Sequence, residues 1–305
     1  MRNKFLSDRT AQDIDRLISK ILRDLGNPKP PLKLEEVRYL LSLDRQFYSS
    51  TDDGVLREFI HKLRLAGKQV IDRPSLLMDV VKKWSLKALY LPDRKRILID
   101  ASLPEAKWRW SEGHEINHSL IPWHNTLTLG DDKTTLTPAC HDQIEAEANY
   151  GTGRLLFIRD VFDEMAGSTK PCFKSVQYLA KTFGNNLTNT LWRYVEQSEK
   201  LLLGVVCAHP RYLPHDFDLA TPCRYYIRSQ SFLAQFPNIT EVDLFRIIKT
   251  YCSGSKRGPL GSSEALLSDA NGVHHIFTFE TFSNTHETLT LGIHRSDKPN
   301  IVSLA

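Results

Sequence analysis

The hexapeptide Gly113-His114-Glu115-Ile116-Asn117-His118 sets two histidines four residues apart, with a glutamate directly after the first. On an α-helix, residues i and i+4 leave the same face about one turn apart, so both imidazoles can reach a single ion. The spacing therefore predicts a helix, and Ile116, Leu120 and Ile121 give that helix an apolar face to bury. Zinc is held by neutral imidazoles at about 2.0–2.1 Å, and a catalytic zinc needs a third protein ligand with a fourth position left for water. The bare spacing also suits polar residues on a solvated helix face. A third ligand decides between the two.

A second helical stretch, "EAEAN", offers one. Glu145 lies 27 residues after His118, and Asn149 follows four residues later on the same helical face, where one side chain can ligate while the other steadies a ligand histidine. Glu147 competes as ligand. It points about 200° around the helix from Glu145, and its i+4 neighbour is Gly151, which has no side chain. Glu145 is the expected ligand and Asn149 the supporting residue.

Upstream, "KALYLPDRKRILID" holds two β-rich runs separated by Pro-Asp-Arg-Lys, the turn chemistry of a hairpin. Its second strand, residues 96–100, is expected to be a sheet edge that an extended peptide could join. Ser102, with Glu105 three residues on, forms a capping-box pattern at the start of the motif helix, and Gly113 is read as a point of close approach by strand or metal. Apolar spacing predicts helices over residues 13–25, 55–65 and 74–84, and a new helix starting in "PLKLEEV". Residues 124–138 read as a loop and 140–162 as one long helix. Residues 175–197 form two helical runs broken at Gly184-Asn185-Asn186, a helix-turn-helix outline. From Leu202 the texture is mixed, with strands at "LLLGVVCA", "CRYYIRS", "HHIFTFETF" and "ETLTLGIHR" around a helix at 241–251, while "CSGSKRGPLGSS" reads as a turn-rich loop. The expected fold class is α+β, organised as a catalytic core with N-terminal helices (1–165), a helix-turn-helix-like segment (166–200) and a C-terminal α/β domain (201–305).

Composition narrows the function classes. The 40 basic and 36 acidic residues nearly balance at a net charge of +4, with no Lys/Arg block, so charge lends DNA binding no support. Five scattered cysteines, an odd number with no Cys-x-x-Cys pair, argue against a disulfide framework and a cysteine-rich metal site. No segment supplies the ~18 apolar residues of a membrane span. A soluble, cytoplasmic protein is expected.

"GHEINHSLIPWH" followed by "EAEANYGTGRLL" resembles the ImmA/IrrE family of metallopeptidases, whose pattern is His-Glu-x-x-His on one helix and Glu-x-x-Ala-Asn on the next. The resemblance runs from the hairpin to about Leu156, and "LAKTFGNNLTNTLWRYV" is similar to the helical segment that follows in that family. It implies a zincin-like core with His114, His118 and Glu145 as ligands of zinc, or alternatively manganese, Glu115 as general base and Asn149 as a supporting residue. It also implies a protein substrate, a helix-turn-helix transcriptional repressor whose cleavage switches on stress-response or mobile-element genes, and a C-terminal GAF-like sensor domain. After Ala-Asn the family continues with Phe-Ala and then Leu-Leu-Met-Pro; here Tyr150, Gly151 and "LLFIRD" stand instead. His124, His141 and Tyr150 are the nearby hydrogen-bond donors that could steady a transition state.

A rival reading is a DNA-binding regulator that uses residues 176–195 as its reading head, with a structural or sensory zinc. Phe183, Leu187, Leu191 and Trp192 are apolar there, and only Lys181 and Arg193 could meet phosphate, so packing on a core fits better. His274 and His275 are adjacent and should flank a strand on opposite faces.

Overall fold

The computed structural model describes residues 2–48, 88–91, 95–124 and 138–295. The chain divides into two compact units, one of Phe5–Arg159 with Phe183–Asn185, the other of Met1–Lys4, Asp160–Thr182 and Asn186–Ala305. The architecture is mixed α and β. The helices expected over 55–65 and 74–84, and most of the loop expected over 124–138, lie outside the described residues.

In the first unit, α1 (Asp8–Asp24) begins where the Ser7 hydroxyl accepts from the Thr10 N–H, and it buries Ile14, Ile18, Ile21 and Leu22, the stripe its spacing predicts. Helix α2 (Leu34–Leu41) ends at Ser42 in the left-handed region. A three-stranded sheet follows in the order β1-β3-β2, with β1 (Asp44–Tyr48) parallel to β3 (Arg96–Asp100) and β2 (Ala88–Leu91) antiparallel to it. The β2–β3 hairpin is the one its turn residues predict. The sequence gives no sign of β1, because Asp44 to Phe47 are all exposed and carry no apolar alternation. With β1 present, β3 is the central strand, which corrects the expectation that residues 96–100 form an edge. Among the described strands β2 has a neighbour on one side only.

Helix α3 (Glu105–Leu120) carries the His-Glu-x-x-His motif. The expected capping box does not form: the N-cap is Pro104, with no side-chain cap, and the Ser102 N–H is turned to Asp100 Oδ1 at 2.8 Å. Helix α4 (Pro138–Leu156) packs along α3 and α1. The helix expected to run through 162 breaks here, because Ile158 and Arg159 take left-handed φ of 51° and 39°. That conformation is rare for a β-branched residue and must be held by its surroundings. The Arg159 N–H donates back to the Arg154 carbonyl at 2.9 Å, and Arg154 is itself paired with Asp15 of α1 at 2.7 Å.

In the second unit, α5 (Asp160–Ser168), α6 (Phe173–Phe183) and α7 (Leu187–Glu196) precede a five-stranded antiparallel sheet. Gly184 at φ 63° and the Asn186 cap, which accepts from the Asn189 N–H at 2.7 Å, make the predicted break between α6 and α7. Helix α7 packs on β4 (Leu202–Cys207), β5 (Cys223–Arg228) and β8 (Thr288–His294), burying Leu191, Tyr194, Val195 and also Arg193.

The sheet order is β5-β4-β8-β7-β6, with α8 (Gln230–Gln235) and α9 (Glu241–Tyr251) between β5 and β6. Four strands and α9 stand where apolar runs predict them. Strand β6 (Gly258–Ser268) corrects the expected loop: its Gly, Pro and Ser read as turn residues but sit on an edge strand, where a missing N–H is tolerated. A bulge falls between Pro259 and Gly261, and Gly261, at φ 143°, lies so close to Tyr251 that a Cβ would stand 3.0 Å from its carbonyl oxygen. At the opposite edge the Asn3 side chain donates to the Arg228 carbonyl at 2.9 Å and accepts from the Arg228 N–H at 3.0 Å, lying against β5 as a further strand would. On β7 (His274–Ser283), His274 is exposed, while His275 sits between Asp269 and His294, each at 3.2 Å. Among the described residues, no helix is long and apolar enough to cross a membrane.

Candidate metal centre

Helix α3 is fixed from three directions. Two residues before His114, buried Glu112 accepts from Arg38 of α2 at 2.6 Å and from Arg45 of β1 at 2.8 Å. Ile116 and Ile121 are fully buried. Along α4 the two helices approach through glycines on both sides. A Cβ on Gly113 would stand 3.2 Å from Thr152 Cγ2, and one on Gly151 would stand 2.3 Å from Asn117 Oδ1. Gly113 therefore admits the neighbouring helix, whereas a strand or metal was expected. Asn117, the second variable residue of the motif, is buried with its amide donating to the Gly113 carbonyl at 2.8 Å.

This close crossing brings Glu145 to the two histidines. His114 Nε2 lies 3.0 Å from His118 Nε2, and Glu145 places Oε2 3.2 Å from His114 Nε2 and Oε1 3.5 Å from His118 Nε2. Donor atoms about 2.0–2.1 Å from a tetrahedral ion stand roughly 3.3–3.4 Å from one another. The two histidines face different oxygens of Glu145, and the separations of 3.0, 3.2 and 3.5 Å bracket that spacing; imidazole nitrogens with a carboxylate are the donor types such an ion takes. Among the described residues this is the one group of three or more His, Cys, Asp or Glu side chains close enough to share an ion.

Electrostatics accompany the geometry. Burial raises the Glu145 carboxyl, but hydrogen bonds and charge from His114 and His118 outweigh it and hold the group well below the usual carboxylate range. Glu115 is nearly buried, and burial lifts its carboxyl to about 7, with Glu145 adding to the rise; His118 and a hydrogen bond from the Tyr90 backbone N–H oppose it. The Tyr90 bond comes from β2, so the hairpin lies directly beside the glutamate of the motif.

The remaining expected residues scatter. Asn149 is half-buried one turn beyond Glu145. Tyr150 is about 140° around the helix from Glu145. His141 occupies the first turn of α4, one turn before Glu145; its side chain lies outside the described positions. His124 is 1% exposed, its Nδ1 3.1 Å from His118 Nδ1 and its Nε2 3.0 Å from Glu147. Burial lowers its pKa despite the Glu147 hydrogen bond, which pulls the other way. His124, one of three candidate donors, thus stands behind His118 with both ring nitrogens engaged. Burial raises the Glu147 carboxyl, but donors from His124, Trp123 and Gln143 bring it below its ordinary value. The grouping of Trp123, His124, Gln143 and Glu147 was missed. The Gln143–Glu147 spacing of four was its one sequence signal.

Two histidines and a glutamate at ligand spacing, with a buried glutamate alongside, are a group that could hold a metal ion. The comparisons agree at a coarse level. The chain is 26% identical over 131 residues to the radiation response metalloprotease IrrE of Deinococcus deserti, a stretch that covers 40% of this chain and 43% of that protein. The match thus spans less than half of that relative, whose kind implies a bound metal. No family model matches the chain. Among solved structures, a Mycobacterium tuberculosis transcriptional regulator shares the fold at a TM-score of 0.51 and 11% identity, over 94% of this chain and 78% of that one.

Proposed function

We propose that the chain is a zinc-dependent endopeptidase with a zincin-like core, in which His114, His118 and Glu145 hold the cation and Glu115 is the general base. The observation that carries this is the trio of donor separations, 3.0, 3.2 and 3.5 Å, beside the buried Glu115 carboxylate. When bound, the cation supplies Lewis acidity toward a scissile carbonyl and toward water. Glu115 takes the proton of the attacking water and delivers it to the leaving amine. The nearby positive charge would lower the Glu115 carboxyl from its raised value and so favour the base form. Asn149 is assigned to steadying the ligand set from one turn beyond Glu145. A substrate peptide is expected along β2 on the side away from β3, as an added strand.

The substrate class follows from the relative: a protein, and by the family resemblance a helix-turn-helix transcriptional repressor of stress-response or mobile-element genes in the cytoplasm. The second unit is assigned a GAF-like sensory role, supported by its five-stranded antiparallel sheet with two helices inserted between β5 and β6. The rival DNA-binding role is weakened by α7, whose Arg193 is 4% exposed and whose apolar face packs on the sheet. Mixing the zinc- or manganese-loaded chain with candidate repressors tests the proposal. Cleavage is expected from the wild type, while Glu115→Gln should keep about one metal per chain and lose cleavage. Proteolysis retained by Glu115→Gln would overturn it, and salt-dependent binding of duplex DNA would favour the regulator.

A further inference from the structure

Behind His118, on the ring nitrogen that does not face Glu145, a line of hydrogen bonds leads into the protein. His118 Nδ1 is 3.1 Å from His124 Nδ1, and His124 Nε2 is 3.0 Å from Glu147 Oε2. Trp123 Nε1 donates to the same Glu147 oxygen at 2.6 Å, and Gln143 Nε2 donates to Oε1 at 2.7 Å. His124 and Glu147 are 1% and 5% exposed, so water does not substitute for these partners.

The donors fix where each proton sits. An indole N–H and a side-chain amide N–H can only donate, so Glu147 accepts on both oxygens and is an acceptor-only carboxylate. The proton between Glu147 and His124 therefore belongs to His124 Nε2. A neutral His124 protonated there has a lone pair at Nδ1, so the proton between the two Nδ1 atoms belongs to His118. Neutral His118 with its proton on Nδ1 must carry its lone pair on Nε2. That atom stands 3.0 Å from His114 Nε2 and 3.5 Å from Glu145 Oε1. With the protons reversed along the line, Nε2 would carry hydrogen and could not ligate.

We propose that Glu147 and His124 are positioning residues that impose the Nδ1–H tautomer on His118 and so aim its Nε2 lone pair at the cation. The proposal rests on the assignment of His118 as a metal ligand. The geometry adds a mechanical link, because Trp123 and His124 directly follow α3 while Gln143 and Glu147 belong to α4. The bonds that set the tautomer also tie together the two helices that carry the ligands. Partners of this kind typically contribute 10–100-fold in metal affinity.

The test has two arms. Histidine ring-nitrogen NMR on the metal-stripped wild type reads the tautomer directly and needs no variant; His118 should appear as Nδ1–H, and an Nε2–H form would overturn the proposal. In the second arm, zinc affinity is measured by chelator competition for the wild type, His124→Phe and Glu147→Gln, with folding checked by circular dichroism. His124→Phe keeps a ring of similar volume and should bind zinc 10–100-fold more weakly, with the His118 tautomer no longer fixed. Glu147→Gln should weaken binding in the same direction, since its amide can meet His124 with the wrong polarity. Wild-type affinity in a folded His124→Phe would overturn the proposal. A wild type that binds no zinc would remove the metal assignment, and the NMR arm would still decide the tautomer.

Discussion

Replacing Gly151 with alanine tests the close approach of α3 and α4, which sets the donor separations. The new Cβ would stand 2.3 Å from Asn117 Oδ1 and 2.9 Å from its Cγ. Asn117 is fully buried and held by its 2.8 Å bond to the Gly113 carbonyl, so it cannot swing away without giving up that bond. Overpacking of a core costs about 1–3 kcal/mol, and loss of a buried hydrogen bond adds about 1–3 kcal/mol. Alanine's better helix propensity returns about 1 kcal/mol. The expected net destabilisation is roughly 1–5 kcal/mol, and at about 2–4 °C per kcal/mol calorimetry resolves it. The same change should also separate Glu145 from the histidines and weaken metal binding. In an Asn117→Ala background the contacts with Asn117 are gone and the tight one left is Ile14 Cγ2 at 3.3 Å, so Gly151→Ala should cost clearly less there than in the wild type. Equal destabilisation in both backgrounds, or a Gly151→Ala chain as stable as the wild type, would refute the reasoning.

Zinc at about 100 times its Kd should stabilise the chain by about 2.7 kcal/mol in thermal melts, with EDTA reversing the shift and His114→Ala abolishing it. Glu112→Ala removes the partner of both Arg38 and Arg45 and should cost about 1–3 kcal/mol in urea unfolding, with Glu112→Gln milder. Gly167→Ala should stabilise by up to about 1 kcal/mol, since this glycine of α5 has open space where its Cβ would go; a fall in melting temperature would show that the site is more crowded than described.

The sequence carried the parts of this protein that follow from periodicity and local chemistry. Ile14, Ile18, Ile21 and Leu22 mark α1 because burial on one side imposes a 3.6-residue period, and Pro-Asp-Arg-Lys marks the hairpin because its residues favour a turn. The grouping of His114, His118 and Glu145 could be read for the same reason, as two fixed spacings on two helices. Features that depend on distant partners escaped. Strand β1 gains its place by pairing with β3, some fifty residues away, while Asp44 to Phe47 are exposed and show no apolar alternation. The break at Ile158–Arg159 runs against the intrinsic preference of both residues and depends on contacts such as Arg154 with Asp15. The Ser102 pattern was present but idle, because Asp100 took its N–H. His124 has the sequence setting of a loop residue, and its place depends on Glu147, 23 residues away and 3.0 Å from its Nε2.

The margins of the five-stranded sheet carry a consequence for handling the protein. On one side Asn3 closes the hydrogen bonds of β5 around Arg228. On the other, β6 has β7 as its one neighbour among the described strands, and its first residues are shielded by Pro259 and the bulge. Further along, Leu266 is 61% exposed on a regular stretch of that margin. An open strand of this kind is a template for pairing with another chain. Self-association at high concentration should therefore begin at the Leu266 end of β6, and a lysine at that position is the substitution to make before concentrated samples are prepared.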